Sequence, residues 1–291
     1  MSERILPEGG PNRRPDQTPI RKAHLERLVD HYARLIGVAP ARVRRWISVM
    51  VLLGALDRSR ESDPLFLLKG GVAMELRLGG GARATKDVDL VFTGDPERLA
   101  EALDQNLEPY SVFSFERQEV ESRGDGLFDR VEVKLLFRGR SWATLTLEVA
   151  APDSDAIDSE SVEAIPIDEF GIEGPRMIRC LSLRYQIAQK LHAVTQRFER
   201  GQNDRFRDLI DLVICRDLVL DLADVREACL DTFDARGLHD WPPELEVPEG
   251  WAGPYTELAE EMNFPVIEVD EAAAQVREFI GKIDVAGAVS D

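Results

Sequence analysis

Two adjacent glycines and, sixteen residues after the second, a pair of aspartates constrain the fold of this chain most strongly. Gly70 and Gly71 follow the apolar run at 65–68, which predicts a buried strand that leads into a short helix. Asp87 and Asp89 alternate with three apolar residues: Val88, Leu90 and Phe92. Because successive side chains on a strand point to opposite faces, this pattern predicts that both carboxylates project from the same face.

A divalent cation is the simplest partner for such a pair of carboxylates. Without a cation the like charges repel and one carboxyl group tends to become protonated, whereas Mg²⁺ (or Mn²⁺) prefers hard oxygen ligands. Glu148 lies on a second predicted strand at 142–150, on its polar face. If the two strands are neighbours, Asp87, Asp89 and Glu148 converge and can bind one or two ions for displacement at phosphorus. Otherwise Glu148 is a solvent-facing residue on an edge strand.

The composition is typical of a soluble globular protein, with 44% hydrophobic and 31% charged residues in a chain of 291. No apolar run is long enough to span a membrane. Residues 1–19 are rich in Pro, Gly and Arg and lack the apolar segment of a signal peptide, so we expect a disordered tail. The three cysteines lack metal-ligand or disulfide-framework spacing, which favours a cytoplasmic protein: Cys180, Cys215 and Cys229.

The net charge of −18 argues against generic nucleic-acid binding, because an acidic surface repels phosphates. Basic residues nevertheless cluster at two places: Arg42, Arg44 and Arg45, and then Arg197, Arg200, Arg205 and Arg207. Each cluster is consistent with a solvated helix face. An RNA substrate would require at least one of them to border the active cleft.

Predicted elements divide the chain into an α/β part and a helical part. Helices are predicted at 20–36 and 40–55. The strand before the glycines and the acidic strand come next, and a hairpin of 131–137 with 142–150 follows them. Gly and Pro residues at 171–175 indicate a linker. Helical patterns follow it: 181–200, 204–216, 222–235 and 270–284. We therefore expect an α/β domain with its N-terminal helices at 20–172 and an α-helical domain at 173–291.

A lysine and two aspartates stand out in the helical part. Lys190 lies at the edge of an apolar stripe, where a lysine usually extends to solvent but can also neutralise a triphosphate. Asp208 and Asp211 share a face of the next helix. Acidic residues in a first turn often only complement the helix dipole, and this explanation is weaker for Asp211, which lies further along the helix.

These features together resemble the nucleotidyl transferase AbiEii/AbiGii toxin family, specifically the MenT-type toxins of type IV toxin–antitoxin systems. The residues that carry the resemblance are Gly70-Gly71, Asp87-Val88-Asp89, the segments 186–193 and 203–211, and Trp241-Pro242-Pro243. The resemblance extends from about residue 20 to the C-terminus. It implies an α+β fold, in which a DNA polymerase β-like nucleotidyltransferase domain with a mixed sheet is joined to an α-helical C-terminal domain.

The resemblance also implies an activity. Proteins of this type move a nucleoside monophosphate from an NTP to the 3′ end of tRNA, which blocks aminoacylation and translation. On that basis Gly70 and Gly71 let the backbone approach the triphosphate, and Asp87 and Asp89 bind Mg²⁺ (or Mn²⁺), with Glu148 if it converges. The expected partners are NTP, the tRNA acceptor stem and a cognate antitoxin, either AbiEi-like or kinase-like, and no membrane.

Three further residues receive roles from the resemblance. Lys190 would counter charge on the triphosphate, and Asp211 would either orient Lys190 or accept the proton of the acceptor hydroxyl. On this basis, Asp87→Ala or Lys190→Ala abolishes transfer in a protein that remains folded. Thr85 would lie beside the nucleotide, and its phosphorylation by a kinase-like antitoxin would exclude the nucleotide. Alternatively, the Thr85 hydroxyl only caps a turn.

Two other functions stay open from the sequence. One is nucleotidylation of a different acceptor, such as a protein or a small aminoglycoside-like molecule. The other is a catalytically silent module that only binds a partner. The presence of Asp87, Asp89, Lys190 and Asp211 argues against the silent module, because an inactive site should tolerate the loss of these residues.

Overall fold

The structure is a computed structural model of the chain, and it describes residues 18–57, 65–78, 85–122, 128–197, 203–219 and 221–286. Residues 1–17 of the expected N-terminal tail lie outside these ranges, as do the glycines at 79–81 and Arg200. Within the described ranges, no helix combines the length and the apolar character needed to cross a membrane.

Two helices open the described chain, and both agree with the sequence pattern. α1 (Lys22–Ile36) and α2 (Pro40–Leu56) correspond to the helices predicted at 20–36 and 40–55. The apolar stripe of α1 is buried: Leu25, Val29, Tyr32 and Ala33. α1 ends at Gly37, whose φ of 72° is left-handed and suits glycine. Both helices contribute to the apolar core that covers one face of the sheet.

The first part of the chain forms a mixed sheet. Its strands, within the described residues, are β1 (Phe66–Lys69), β2 (Val88–Phe92), β3 (Phe113–Arg117), β4 (Glu121–Ser122), β5 (Asp129–Phe137), β6 (Arg140–Ala150), β7 (Ser159–Glu163) and β8 (Met177–Leu181). The order of neighbours is β3-β5-β6-β2-β1-β8-β7, and β4 pairs with β5. β2 runs antiparallel to β1 and parallel to β6, so the acidic strand lies in the middle of the sheet.

Two helices are inserted between these strands. α3 (Gly70–Leu78) follows β1 without an intervening loop, and α4 (Leu99–Asn106) follows a short 3-10 turn after β2. The side chain of Asp95 accepts a hydrogen bond from the backbone N–H of Glu97 and so caps that turn. The predicted hairpin is also present, because β5 and β6 pair as antiparallel strands.

Four of the described strands have no counterpart in the sequence predictions: β3, β4, β7 and β8. The most consequential is β8, which follows the Gly- and Pro-rich segment at 171–175, where the sequence predicts the start of the helical part. β8 runs parallel to β1, with Cys180 opposite Leu68. The sheet therefore continues beyond residue 172. A five-residue strand with Arg179 at its centre is too short and too polar to show a clear alternation.

The remaining helices form a second unit. They are α5 (Leu183–Thr195), α6 (Phe206–Arg216), α7 (Leu222–Arg236), α8 (Ala252–Glu261) and α9 (Val269–Ala286). The sequence predicts each of them except α8. α5 packs against α6 and α7, and α9 packs against α6, α7 and α8.

The boundary between the units is not a single point in the chain. The described residues up to Pro152 belong with Ser161–Cys180, and Asp153–Glu160 belong with the residues from Leu181 onward.

Candidate functional site

The two aspartates of the sequence motif lie at the beginning of the acidic strand. Asp89 is the second residue of β2, and Asp87 immediately precedes β2. Val88 and Leu90 are fully buried in the core, whereas both aspartates are only half-buried. The alternation therefore places the two carboxylates on the face opposite the core, as the sequence predicts.

Glu148 lies beside this pair. β6 neighbours β2 in parallel orientation, and the Cα atoms of Glu148 and Asp89 are directly opposite each other. Among the described residues, no three Asp, Glu, His or Cys side chains come close enough to hold a metal ion by themselves. The carboxylates on these two strands therefore suit a hard divalent cation only as part of a donor set that substrate oxygens complete.

The glycine pair packs directly against the acidic segment. Gly70 has a left-handed φ of 64°, and a Cβ atom built there would lie 2.0 Å from Oδ2 of Asp89. A Cβ atom on Gly71 would lie 2.9 Å from Cβ of Thr85. Both positions therefore require glycine, Gly70 for its backbone conformation as well as for space. The backbone between β1 and α3 can approach the carboxylate face only because these side chains are absent.

A cation from α2 reaches the same segment. Nη1 of Arg45 donates a hydrogen bond to the carbonyl oxygen of Lys86, and Nη2 donates one to the carbonyl oxygen of Asp87. Burial lowers the pKa of Arg45, although the negative charges of Glu75, Asp87 and Asp89 oppose this change. Arg45 thus brings a positive charge close to the acidic strand. The sequence does not identify this contact.

A second cluster of charged residues lies within the helical unit. Nζ of Lys190 on α5 is 2.7 Å from Oδ1 of Asp208 and 2.7 Å from Oδ2 of Asp211, both on α6. All three side chains are buried, with exposed fractions of 9%, 11% and 2%. Burial alone would lower the pKa of Lys190, but the two aspartates outweigh it and raise the pKa above its usual value.

This cluster excludes one interpretation of Lys190 and identifies a second carboxylate that contacts it. The side chain of Lys190 does not extend to solvent, because its ammonium group is bound between two carboxylates. Asp208 contacts Lys190 as closely as Asp211 does, although the sequence singles out only Asp211 as a candidate catalytic residue. The i, i+3 spacing already predicts that the two aspartates share a helix face, but it does not predict that both contact Lys190.

His192, two residues beyond Lys190 on α5, lies in an aromatic pocket of the same unit. Its ring packs against those of Phe233 and His239, and Nδ1 lies 3.4 Å from Nη1 of Arg236. Burial lowers the pKa of His192 to about 4, with Arg236 and His239 acting in the same direction and Asp153 opposing them. His192 is therefore neutral at pH 7 and packs as an uncharged ring.

This environment predicts a loss of stability in mild acid. His192 binds a proton in the unfolded chain below its ordinary pKa of about 6.5, but in the folded chain only near pH 4. The stability that the neutral ring contributes is present above pH 6.5 and is lost as the pH falls towards 4, by on the order of 3 kcal/mol. Urea unfolding at pH 7 and pH 5 should show a smaller loss for His192→Gln than for the unmodified protein. Equal losses in both proteins would contradict this account.

Comparisons with known proteins agree with this architecture. A family profile described as "Nucleotidyl transferase AbiEii toxin, Type IV TA system" matches residues 52–279. The structure is similar to MenT4, a nucleotidyltransferase toxin from Mycobacterium tuberculosis, with a TM-score of 0.55 and 20% identity over 91% of this chain and 98% of that chain. It also matches JHP933 from Helicobacter pylori, with a TM-score of 0.44 and 18% identity over 84% of this chain and 91% of that chain. No curated protein sequence matches the chain.

The similarity to MenT4 confirms the predicted fold class. Both chains have the nucleotidyltransferase fold, and here it takes the form of a mixed sheet with flanking helices followed by a helical unit.

Proposed function

Because this chain belongs to the nucleotidyl transferase AbiEii toxin family of type IV toxin–antitoxin systems, we propose that it moves a nucleoside monophosphate from an NTP to the 3′ end of tRNA. Pyrophosphate is released, and the modified tRNA can no longer be aminoacylated, so translation stops. The observation that supports the chemistry best is the carboxylate face of the sheet, where Asp89 lies between Gly70 and Glu148. This arrangement suits a triphosphate whose oxygens complete a set of hard donors.

In this proposal Asp87 and Asp89 are ligands of Mg²⁺ (or Mn²⁺), and Glu148 is a third donor from the neighbouring strand. Such an ion, when bound, offsets the negative charge that develops on the phosphate oxygens during displacement. Gly70 and Gly71 let the backbone at the start of α3 lie directly against Asp89 and Thr85, and so place this backbone beside the proposed triphosphate site. The pairing of β2 with β6 holds the backbone of Asp89 opposite that of Glu148, so both side chains leave the same face of the sheet.

Lys190 is proposed to balance charge on the triphosphate. Two of the three N–H donors of its ammonium group are used by Asp208 and Asp211, which hold the charged group in place. These contacts favour the orienting role for Asp211 over that of a general base, since its carboxylate already accepts a hydrogen bond from Lys190. Asp208 shares the orienting role.

The acceptor requires a local positive surface on an otherwise acidic protein. Arg42 and Arg44 make ion pairs within their own unit, with Glu75 and Glu26. Arg205 and Arg207 at the start of α6 are exposed, and Nη1 of Arg205 lies 3.9 Å from Oδ2 of Asp208. We therefore propose Arg205 and Arg207 as contacts for tRNA phosphates. We also propose that the protein is a cytoplasmic toxin and that an AbiEi-like or a kinase-like antitoxin controls it.

A labelling experiment tests the proposal. The protein is incubated with Mg²⁺, total tRNA and each of the four NTPs labelled at the α-phosphate, and the products are separated on a denaturing gel. We expect label on tRNA, and we expect none on tRNA whose terminal diol has been destroyed with periodate. Label on protein or on an added aminoglycoside would overturn the tRNA assignment, and no label in any fraction would support a silent binding module.

Thr85 gives a prediction about regulation. It precedes Asp87 by two residues and lies against Gly71, so a phosphate on its hydroxyl would bring negative charge next to the proposed metal ligands. Replacing Thr85 with glutamate should lower transfer by at least about tenfold, because repulsion of the triphosphate costs at least about 1.4 kcal/mol at this range. Thr85→Val should retain most of the activity. Equal rates for the two variants would contradict the charge mechanism, and mass spectrometry of toxin coexpressed with its antitoxin would detect the modification directly.

A further inference from the structure

Of three arginines in four positions of α2, two make ion pairs with glutamates and the third bonds to the backbone. Arg42 pairs with the buried Glu75, with Nη2 2.8 Å from Oε1. Arg44 pairs with Glu26 and lies over the ring of Trp142. The guanidinium group of Arg45 instead bonds to the backbone immediately before β2. The three residues are therefore not one basic patch, and Arg45 has a role of its own.

The two bonds of Arg45 involve the peptide units on either side of Asp87. The carbonyl of Lys86, 2.7 Å from Nη1, belongs to the peptide that precedes the Cα atom of Asp87. The carbonyl of Asp87, 3.1 Å from Nη2, belongs to the peptide that follows it. When both peptide planes are held, φ and ψ of Asp87 are fixed, and so is the direction of its Cα–Cβ bond. Arg45 therefore restrains the direction in which the side chain of Asp87 leaves the backbone.

Asp87 depends on this contact more than Asp89 does. Strand pairing holds the backbone of Asp89 on both sides, because its Cα atom is opposite Lys69 on β1 and opposite Glu148 on β6. In the described sheet the ladder pairs of β2 with β6 begin at Val88, one residue after Asp87. Arg45 thus supplies at Asp87 the restraint that strand pairing supplies at Asp89.

We propose that Arg45 is a positioning residue for nucleotidyl transfer, which holds the carboxylate of Asp87 in the orientation needed to bind a divalent cation together with Asp89. This inference rests on the proposed function of the acidic strand. The planar guanidinium group is essential to it, because its two amino groups reach two carbonyls at once. A lysine keeps the positive charge but has a single nitrogen, so it cannot reproduce the paired contact.

The test compares Arg45→Lys with Arg44→Lys, which is the same substitution at the adjacent position of α2. Isothermal titration of Mn²⁺ in the presence of a non-hydrolysable NTP analogue gives the dissociation constant and the number of sites per chain. We expect Arg45→Lys to raise the Mn²⁺ dissociation constant about 10- to 100-fold, the range for loss of a residue that supports a metal ligand. Arg44→Lys should leave it unchanged. Transfer by Arg45→Lys should recover at high Mg²⁺, while the KM for tRNA stays the same.

The titration separates misfolding from a change in the site, because unfolded protein lowers the number of sites and a displaced carboxylate raises the dissociation constant. If Arg45→Lys does not fold, Arg45→Gln serves as the second variant, since it also loses the paired contact. An unchanged dissociation constant in the folded variant would overturn the role of Arg45 and leave the proposed function intact. Absence of Mn²⁺ binding by the unmodified protein would overturn the proposed metal site, and the role of Arg45 with it.

Discussion

Replacing Asp89 with asparagine should lower nucleotidyl transfer by at least about 10³-fold and leave the fold intact. Asparagine has nearly the same shape as aspartate, so it can occupy the space beside Gly70 and keep the strand pairing of β2 with β1 and β6. It has no negative charge and offers one oxygen in place of two. A metal site that loses a charged ligand in this way loses several kcal/mol of transition-state stabilisation, which corresponds to the expected change in rate.

The measurement is the initial rate of label transfer at saturating NTP and Mg²⁺, with far-UV circular dichroism and thermal unfolding as checks of the fold. Asp30→Asn is the matched control, because Asp30 is an exposed residue on α1 and its replacement changes the net charge by the same amount. We expect full activity from the control. An Asp89→Asn protein that transfers nucleotide at more than a tenth of the normal rate would remove Asp89 from the metal site.

The acidic strand could be predicted because it depends on local rules. Val88, Leu90 and Phe92 alternate with the two aspartates, and an alternating pattern of this length specifies a strand and its two faces. The α1 stripe and the β5–β6 hairpin follow from patterns of the same kind. What the sequence could not supply is the position of β2 in the sheet. Only the pairing with β6 brings Glu148 opposite Asp89, and pairing between distant strands leaves no local signal.

The contacts of charged side chains were harder to predict than the elements that carry them. Arg45 belongs to a run of basic residues that suggests a solvated face, yet its guanidinium group binds backbone carbonyls 41 and 42 residues away. Lys190 and Asp208 illustrate the same limit. Helical spacing puts Asp208 and Asp211 on one face of α6, but the packing of α5 against α6 decides that this face binds Lys190.

Removing Lys190 should destabilise the protein as well as inactivate it. The sequence alone suggests that Lys190→Ala leaves a folded chain, but the structure places the ammonium group between two buried carboxylates. Lys190→Met would leave Asp208 and Asp211 buried without their cation. Loss of one partner from a buried ion pair costs about 3–5 kcal/mol, so we expect a decrease of this size in the free energy of unfolding at pH 7.

Two further variants separate stability from activity. The double variant Lys190→Met/Asp211→Asn also removes one of the two buried carboxylates that have lost their cation. This protein should regain a large part of the lost stability, while transfer stays at least about 10²-fold below normal. Lys282→Met on α9 is the control, because its ion pair with Glu278 is exposed and such pairs contribute little. Urea unfolding and the label-transfer assay are applied to all three proteins. Recovery of transfer together with stability in the double variant would show that Lys190 supports the fold only.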